Sequence, residues 1–299
     1  MDRRSLLKAA AALGALPALG AAAADAPLTR AVPSSGERIP AIGLGTWITF
    51  DVTDAPGRET RAAILRAFFE SGGRLVDSSP MYGSSEETIG VGLERIGRPP
   101  SLFAATKVWT VGGLAGRRQM ERSRTLWKVP RFDLLQVHNF LDWDTHLPTL
   151  KAMKADGRLR YVGVTTSHGR RHDLGEELIQ RERLDFFQVT YNLADREAEQ
   201  RLLPLAAERG TAVIINRPFD GGAQFGRMKG KALPGWAAEI GATTWAAVFL
   251  KWIVGHPAVT VAIPATSQLP HLKENMAALT GPLPDAALRK RIAAEFDRG

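Results

Sequence analysis

The 299-residue chain contains no cysteine. That excludes a disulfide framework, a thiolate metal site and a thiol nucleophile, and it leaves the chain compatible with any redox compartment. The G-x-G-x-x-G fingerprint is absent as well. Gly43-Leu44-Gly45-Thr46-Trp47 lacks the third glycine, which argues against the dinucleotide-binding form of an open doubly wound sheet. None of the six histidines belongs to an H-E-x-x-H motif, and no Asp/His cluster resembles a cage, so no metal is expected. Clustered basic charge is also lacking. The formal charge is +8, but Lys and Arg are scattered, mostly singly or in pairs such as Arg117-Arg118 and Arg170-Arg171, with one run of three at Arg289-Lys290-Arg291. A nucleic-acid footprint needs clustering and a recognisable module, so a solvated basic surface is the expectation.

The N-terminus reads Met1-Asp2-Arg3-Arg4-Ser5-Leu6-Leu7-Lys8, followed by an uncharged Ala/Leu/Gly run from Ala9 to Ala24 that Pro17 interrupts. This run is short for a membrane-spanning helix, which needs about 20 apolar residues. A basic start, an apolar middle and a small-residue end make a secretory signal. The Arg-Arg-x-Leu-Leu-Lys order resembles the twin-arginine signal, which exports folded proteins. Residues 1–24 are therefore expected to be a signal peptide that engages the twin-arginine export machinery, with cleavage after Ala24 or Ala26 and a periplasmic product. An uncleaved tail on a cytoplasmic protein is the alternative. Removing residues 1–24 takes away Asp2, Arg3, Arg4 and Lys8, so 39 − 3 basic and 31 − 1 acidic residues leave +6.

The rest, 25–299, reads as one domain. Thr29 to Pro40 forms a short hairpin around Ser34-Ser35-Gly36-Glu37. Strand-like stretches then alternate with helical patterns. The strands are 41–47, 73–77, 101–107, 133–139, 161–166, 186–190, 212–216 and 259–263. The helices are 58–71, from Ser85 (a candidate N-cap) with Glu86 and Glu87 in its first turn, 116–127, 145–156, 172–182, 195–208, 243–255 and 269–279. A Gly-rich stretch, 219–235, breaks the rhythm. Eight strands in βα alternation argue for a parallel closed barrel, a (β/α)8 TIM barrel with a short N-terminal β-hairpin. The strand ends share one face, and that face carries the chemistry. Asp77 ends one strand and Tyr82 follows in its loop. Lys107 ends the next strand and His138 the one after, at separations of 30 and 31 residues. For any one of the four a structural role is the simpler account: a cap for Asp77, a buried ring for Tyr82, a strand-end ammonium for Lys107, a core imidazole for His138. Their joint spacing points to proton chemistry instead. A glycosidase would need two facing carboxylates at strand ends, and only Asp77 qualifies.

Asp77-Ser78-Ser79-Pro80-Met81-Tyr82-Gly83, Thr106-Lys107-Val108-Trp109 and Gln136-Val137-His138 resemble the aldo-keto reductases. Gly43-Leu44-Gly45-Thr46-Trp47 and Ile263-Pro264-Ala265-Thr266-Ser267 with Glu274-Asn275 are similar to the flanking motifs of that family. The resemblance covers about 28–280. It implies NAD(P)H-dependent reduction of an aldehyde or ketone by hydride transfer. Tyr82 would be the general acid and Lys107 the cation that lowers its pKa. Asp77 would be the ion-pair partner of that lysine, and His138 would orient the carbonyl oxygen. It further implies coenzyme contacts along the barrel mouth. Thr46 and Trp47 follow the first strand, and Thr165, Thr166 and Gln188 stand at the carboxamide. Asn216, Arg217, Pro218 and Phe219 follow the seventh strand, and Ser267, His271, Glu274 and Asn275 the eighth. Thr165-Thr166 departs from the commoner Ser-Asn, Asn216 from the usual stacking aromatic, Ala265 from the usual lysine and His271 from the usual arginine. NADP remains the expected coenzyme, with NAD possible. Trp47, Trp109, Phe140 and Trp143 are expected to line an open, apolar substrate pocket. The alternative is a non-catalytic nicotinamide-nucleotide-binding sensor barrel.

Overall fold

The computed structural model describes residues 26–298. The expected signal peptide, 1–24, lies outside the described residues. The hairpin pairs β1 (Thr29–Ala31) with β2 (Arg38–Pro40) antiparallel. Eight parallel strands follow in sequence order: β3 (Leu44–Gly45), β4 (Leu75–Asp77), β5 (Phe103–Val108), β6 (Phe132–Val137), β7 (Leu159–Thr165), β8 (Phe186–Thr190), β9 (Ala212–Asn216) and β10 (Val261–Ala262). Parallel bridges Ile42↔Ala262 and Gly45↔Ala265 join the last strand to the first. The sheet therefore closes into the (β/α)8 barrel that the alternation predicts. The regular ladder of the first strand spans only Leu44–Gly45, but its seam bonds with the last strand begin at Ala41, whose carbonyl accepts the Ala262 N–H, and at Gly43, whose N–H donates to the Ala262 carbonyl. Gly45 is needed there, because a Cβ would stand 2.6 Å from the Ile263 carbonyl oxygen at the seam.

The period of two along each strand sorts its side chains. Leu75, Phe103, Ala105, Leu134, Tyr161, Phe186, Ile214 and Val261 fill the barrel, and Val32 and Ile39 of the hairpin close its lower end. The alternate residues Val76, Ala104, Leu135, Val162 and Phe187 pack outward against the helices. One step further along the inward series stand Asp77, Lys107, Gln136, Gly163, Gln188 and Asn216, with Thr165 one step beyond Gly163. A parallel strand buried on both faces is apolar throughout. Polar side chains on the inward series at one level are thus what distinguishes the upper end.

The helical layer comprises α1 (Ala55–Glu70), α2 (Ser85–Arg95), α3 (Gly113–Trp127), α4 (Trp143–Ala155), α5 (His172–Arg181), α6 (Leu202–Glu208), α7 (Ala223–Arg227), α8 (Trp245–Val254), α9 (Leu269–Ala277) and α10 (Ala286–Arg298). No helix among the described residues is long and apolar enough to cross a membrane. Three details differ from the sequence expectation. Ser84, not Ser85, precedes α2, and its hydroxyl and N–H both donate to Asp51 instead of capping. The span 195–208 holds only the seven-residue α6 after a short turn at Glu197–Glu199. Finally α10 covers the C-terminal segment, for which the alternation gave no element. Arg289 donates to the Trp252 carbonyl while the Trp252 indole donates to the Arg289 carbonyl, so the helix is tied to α8 by reciprocal bonds.

Candidate active site

The inward polar layer converges on Asp77. Its Oδ2 accepts from Lys107 Nζ at 2.5 Å, and its Oδ1 accepts from the amides of Gln136 at 3.0 Å and Gln188 at 3.2 Å. Lys107 Nζ also donates to the Ser78 carbonyl at 2.7 Å. Asp77 is 2% exposed and Lys107 fully buried. A buried charge of either sign is tolerated only when paired and hydrogen-bonded, and here each completes the other. Gly163, between Gln136 and Gln188, leaves the room they need: a Cβ there would lie 2.7 Å from the Phe186 carbonyl oxygen and 3.1 Å from the Gln136 side chain.

Tyr82 comes from the loop between β4 and α2. Its N–H donates to the Ser79 carbonyl, and its carbonyl accepts the Ser85 N–H. Asp51 pins the following residues through Ser84, and Gly83, at φ +58°, passes so close that a Cβ would sit 2.4 Å from Asp51 Oδ1. These bonds place the Tyr82 ring 5.1 Å from Lys107 Nζ and 5.7 Å, edge-on, from the His138 ring. His138 Nδ1 lies 2.8 Å from Ser79 Oγ. The four strand-end candidates are thus gathered in one place.

Their electrostatics are coupled. Burial works against the Lys107 ammonium, yet Asp77 and Tyr82 hold it above the ordinary lysine value. Burial raises the Tyr82 phenol; Lys107 pulls it down and Asp77 pushes it up, and the balance is upward. The expected lowering of the phenol by Lys107 is therefore outweighed, chiefly by burial, with Asp77 adding to it. Burial, with Lys107 second, holds His138 well below the ordinary histidine value, so the imidazole is neutral at physiological pH.

This cluster forms part of the wall of a cavity of about 810 Å³. Thr46, Trp47, Thr165, Gln188, Asn216, Arg217, Pro218, Phe219, His271, Glu274 and Asn275 also line it. Several of their polar groups are committed inside the protein. The Thr46 hydroxyl donates to the Asp77 carbonyl, and Asn216 donates to the Thr166 carbonyl while accepting from Thr190. Arg217 pairs with Asp220 at 2.9 Å and lies 5.8 Å from the Trp47 ring, while its Nε is buried without a partner.

Other expected residues stand elsewhere. Phe140 is 1% exposed and packs on Phe187 in the outer core, at 6.5 Å between rings. Positive φ at Asn139, Phe140 and Asp142 turns the chain back after β6 and carries that ring away from the mouth. Trp143 packs against the same core from α4. Trp109 is 41% exposed but is not part of the wall, with its backbone held by Gln119. The Thr166 hydroxyl is spent on the Arg170 carbonyl at 2.5 Å, and neither Thr166 nor Ser267 reaches the wall, where Thr266 does. The apolar wall is instead supplied by residues the sequence did not single out, Ile48, Met81, Phe225 and Trp245. His168 and His172 are four apart in sequence, yet they diverge: His168 lines the cavity and His172 faces Glu197. Gln136 and Ser79 escaped sequence reasoning although both stand inside the quoted motifs; only the alternation of β6 marks Gln136 as inward.

Comparison with known proteins agrees with this fold. The profile of the aldo/keto reductase family matches residues 41–292. The chain belongs to the aldo/keto reductase family. It shares the (β/α)8 barrel and the oxidoreductase class of that family. Methylglyoxal reductase YeaE of Escherichia coli is 28% identical over 259 residues, covering 84% of this chain and 89% of its own. The NADH-specific methylglyoxal reductase of Escherichia coli is 26% identical, over 66% of this chain and 68% of its own. An aldo-keto reductase from Klebsiella pneumoniae, solved in complex with NADPH, superposes with a TM-score of 0.72 at 27% identity, covering 91% of this chain and 95% of that one.

Proposed function

We propose that this reductase reduces a small aldehyde or ketone with NADPH, with Tyr82 as the proton donor. The observation that carries this is the buried Asp77–Lys107 pair beneath Tyr82 and His138 in the wall of one cavity. The coenzyme fits the residues present. A cavity of about 810 Å³ is large enough for a cofactor and a small substrate, and its wall extends from Tyr82 and His138 to the start of α9. The Thr165 hydroxyl, which accepts the Asn139 N–H and keeps its own proton to donate, is a polar partner beside apolar Phe219 and Ile263. The buried, unpartnered Nε of Arg217 is a donor suited to an anionic group. Bound reduced nicotinamide would supply the hydride.

The protein's own work is with the proton. The phenol of Tyr82, held above its ordinary value, is fully protonated at neutral pH and ready to donate as alkoxide charge develops. Lys107, kept charged by Asp77, stabilises the tyrosinate that results. His138, neutral, can hydrogen-bond the same oxygen, adding a fixed dipole where charge appears. The apolar wall of Ile48, Met81, Phe225 and Trp245 favours carbonyl compounds without charge.

NADH is the second coenzyme reading. Arg217 is the only lysine or arginine on the cavity wall among the described residues, and a 2′-phosphate wants cationic partners. The similarity to an NADH-specific methylglyoxal reductase favours the same reading. Export by the segment 1–24 belongs to the proposal too, with the coenzyme carried out in the folded protein. Fractionation of cells expressing the full chain beside Arg3→Lys/Arg4→Lys tests it; equal distribution of the two would refute export. The test of the function itself is oxidation of NADPH and NADH with a panel of aldehydes, beside Tyr82→Phe. Turnover that falls at least about 100-fold in the variant supports the assignment of the acid. Coenzyme binding without turnover in either protein would favour the sensor reading.

A further inference from the structure

We propose that Ser79 is a positioning residue that fixes the tautomer of His138, so that Nε2 carries the proton and presents an N–H to the substrate oxygen. This rests on the carbonyl-reductase reading and deepens it. Ser79 is fully buried, and its Oγ lies 2.8 Å from His138 Nδ1. Oγ also accepts the Met81 N–H at 3.3 Å. The side chain makes no other hydrogen bond among the described residues, so the hydroxyl proton has one acceptor within reach, Nδ1.

Two arrangements are open to the pair. If Nδ1 carried the proton, it would donate into Oγ, and the serine proton would be left buried without an acceptor. If Nδ1 is bare, the hydroxyl donates into it and the Met81 N–H fills a lone pair, so every group is satisfied. Buried polar groups left unpaired are disfavoured strongly enough to decide between tautomers of one neutral ring. A neutral imidazole has one N–H, and with Nδ1 bare it is on Nε2. His138 lines the cavity, and Nε2 has no protein partner among the described residues. The ring is kept neutral by burial and by Lys107. The same serine accepts the Tyr82 N–H on its carbonyl at 3.0 Å, so one residue sets the proton donor's loop and the orientation of its neighbour.

Nitrogen-15 NMR of histidine-labelled protein reads the tautomer directly, with His138 assigned by its loss in His138→Gln. The expected spectrum has a protonated Nε2 and a pyridine-type Nδ1. Ser79→Ala should give a mixture of tautomers and roughly a ten-fold loss of kcat, with the Kd for NADPH unchanged. Ser79→Thr, which keeps the hydroxyl, should restore both. An Nδ1–H tautomer in the wild-type protein, or an unaltered tautomer in Ser79→Ala, would overturn the proposal. An Nε2–H ring in a protein that reduces no carbonyl compound would fault the functional reading and leave the assignment to Ser79 standing.

Discussion

Replacing Asp77 by Asn keeps the shape of the side chain and removes its charge, which isolates what the buried pair contributes. In the wild-type protein Asp77 Oδ2 receives Lys107 Nζ at 2.5 Å and Oδ1 receives two amides. An asparagine can still offer its oxygen to Gln136 and Gln188, but its NH2 then faces the ammonium, donor against donor. Rotating the amide relieves that clash only by opposing the two glutamines. Lys107, fully buried, would keep one acceptor, the Ser78 carbonyl. Breaking a buried ion pair by removing one partner costs about 3–5 kcal/mol. Lys107→Met alone strands the carboxylate, although two amides still solvate it, so about 2–4 kcal/mol is expected. The double variant removes both charges and should be destabilised by clearly less than the sum, with a coupling of at least about 2 kcal/mol. Urea unfolding of the four proteins at pH 7 measures this. The pair's contribution should persist through alkaline pH. Lys107 titrates above its ordinary value, so its stabilisation is fully present below about pH 10.4 and fades only as pH rises through the raised value. Additive effects, within about 0.5 kcal/mol, would refute the claim that each charge is tolerated because of the other.

Three further outcomes follow from the same geometry. His138 titrates well below its ordinary value, so as pH falls below about 6.5 the unfolded chain gains a proton that the folded one refuses, and stability falls by up to about 1.4 kcal/mol per pH unit. His138→Gln should flatten that slope between pH 6.5 and 5, and an identical slope in both proteins would contradict it. Gly90 of α2 packs on the end of α3, where a Cβ would lie 1.8 Å from the Leu126 carbonyl oxygen. Gly90→Ala should therefore cost at least about 1–3 kcal/mol by overpacking, and urea midpoints equal to wild type would show that the helices separate freely. With Arg217 as the only wall cation among the described residues of the Lys/Arg type, the Kd values for NADPH and NADH by fluorescence titration should agree within about ten-fold. A preference of about 100-fold for NADPH would mean that a cation off the wall swings in to meet the phosphate.

Much of the site was legible because it repeats locally. Each βα unit buries its strand on both faces and returns the chain to the same end of the barrel. A polar residue closing an apolar run is therefore a strand-end residue, and Asp77, Lys107 and His138 announce themselves in that way. Gln188 and Asn216 were marked only by the resemblance to the aldo-keto reductases. The hairpin was readable from its turn cluster, and the seven helices named by residue span appear within a few residues of their expected positions, with 195–208 shortened.

Contacts that depend on the third dimension were not readable. Phe140, two residues beyond His138, looked like a pocket residue until a turn of positive φ sent it into the core against Phe187. Thr166 follows Thr165, yet its hydroxyl is consumed by a neighbouring carbonyl, because successive strand residues face opposite ways. Ser79 and His138 are 59 residues apart and meet only because the barrel sets two strand ends side by side. The balance of Tyr82 also belongs to the folded state, since burial and the nearby Asp77 outweigh the lysine that spacing alone suggests. The order of strands and the candidate residues at their ends thus follow from the chain's short periods. Which side chains touch, which are spent on the protein itself and which direction each pKa moves were decided by closure of the sheet.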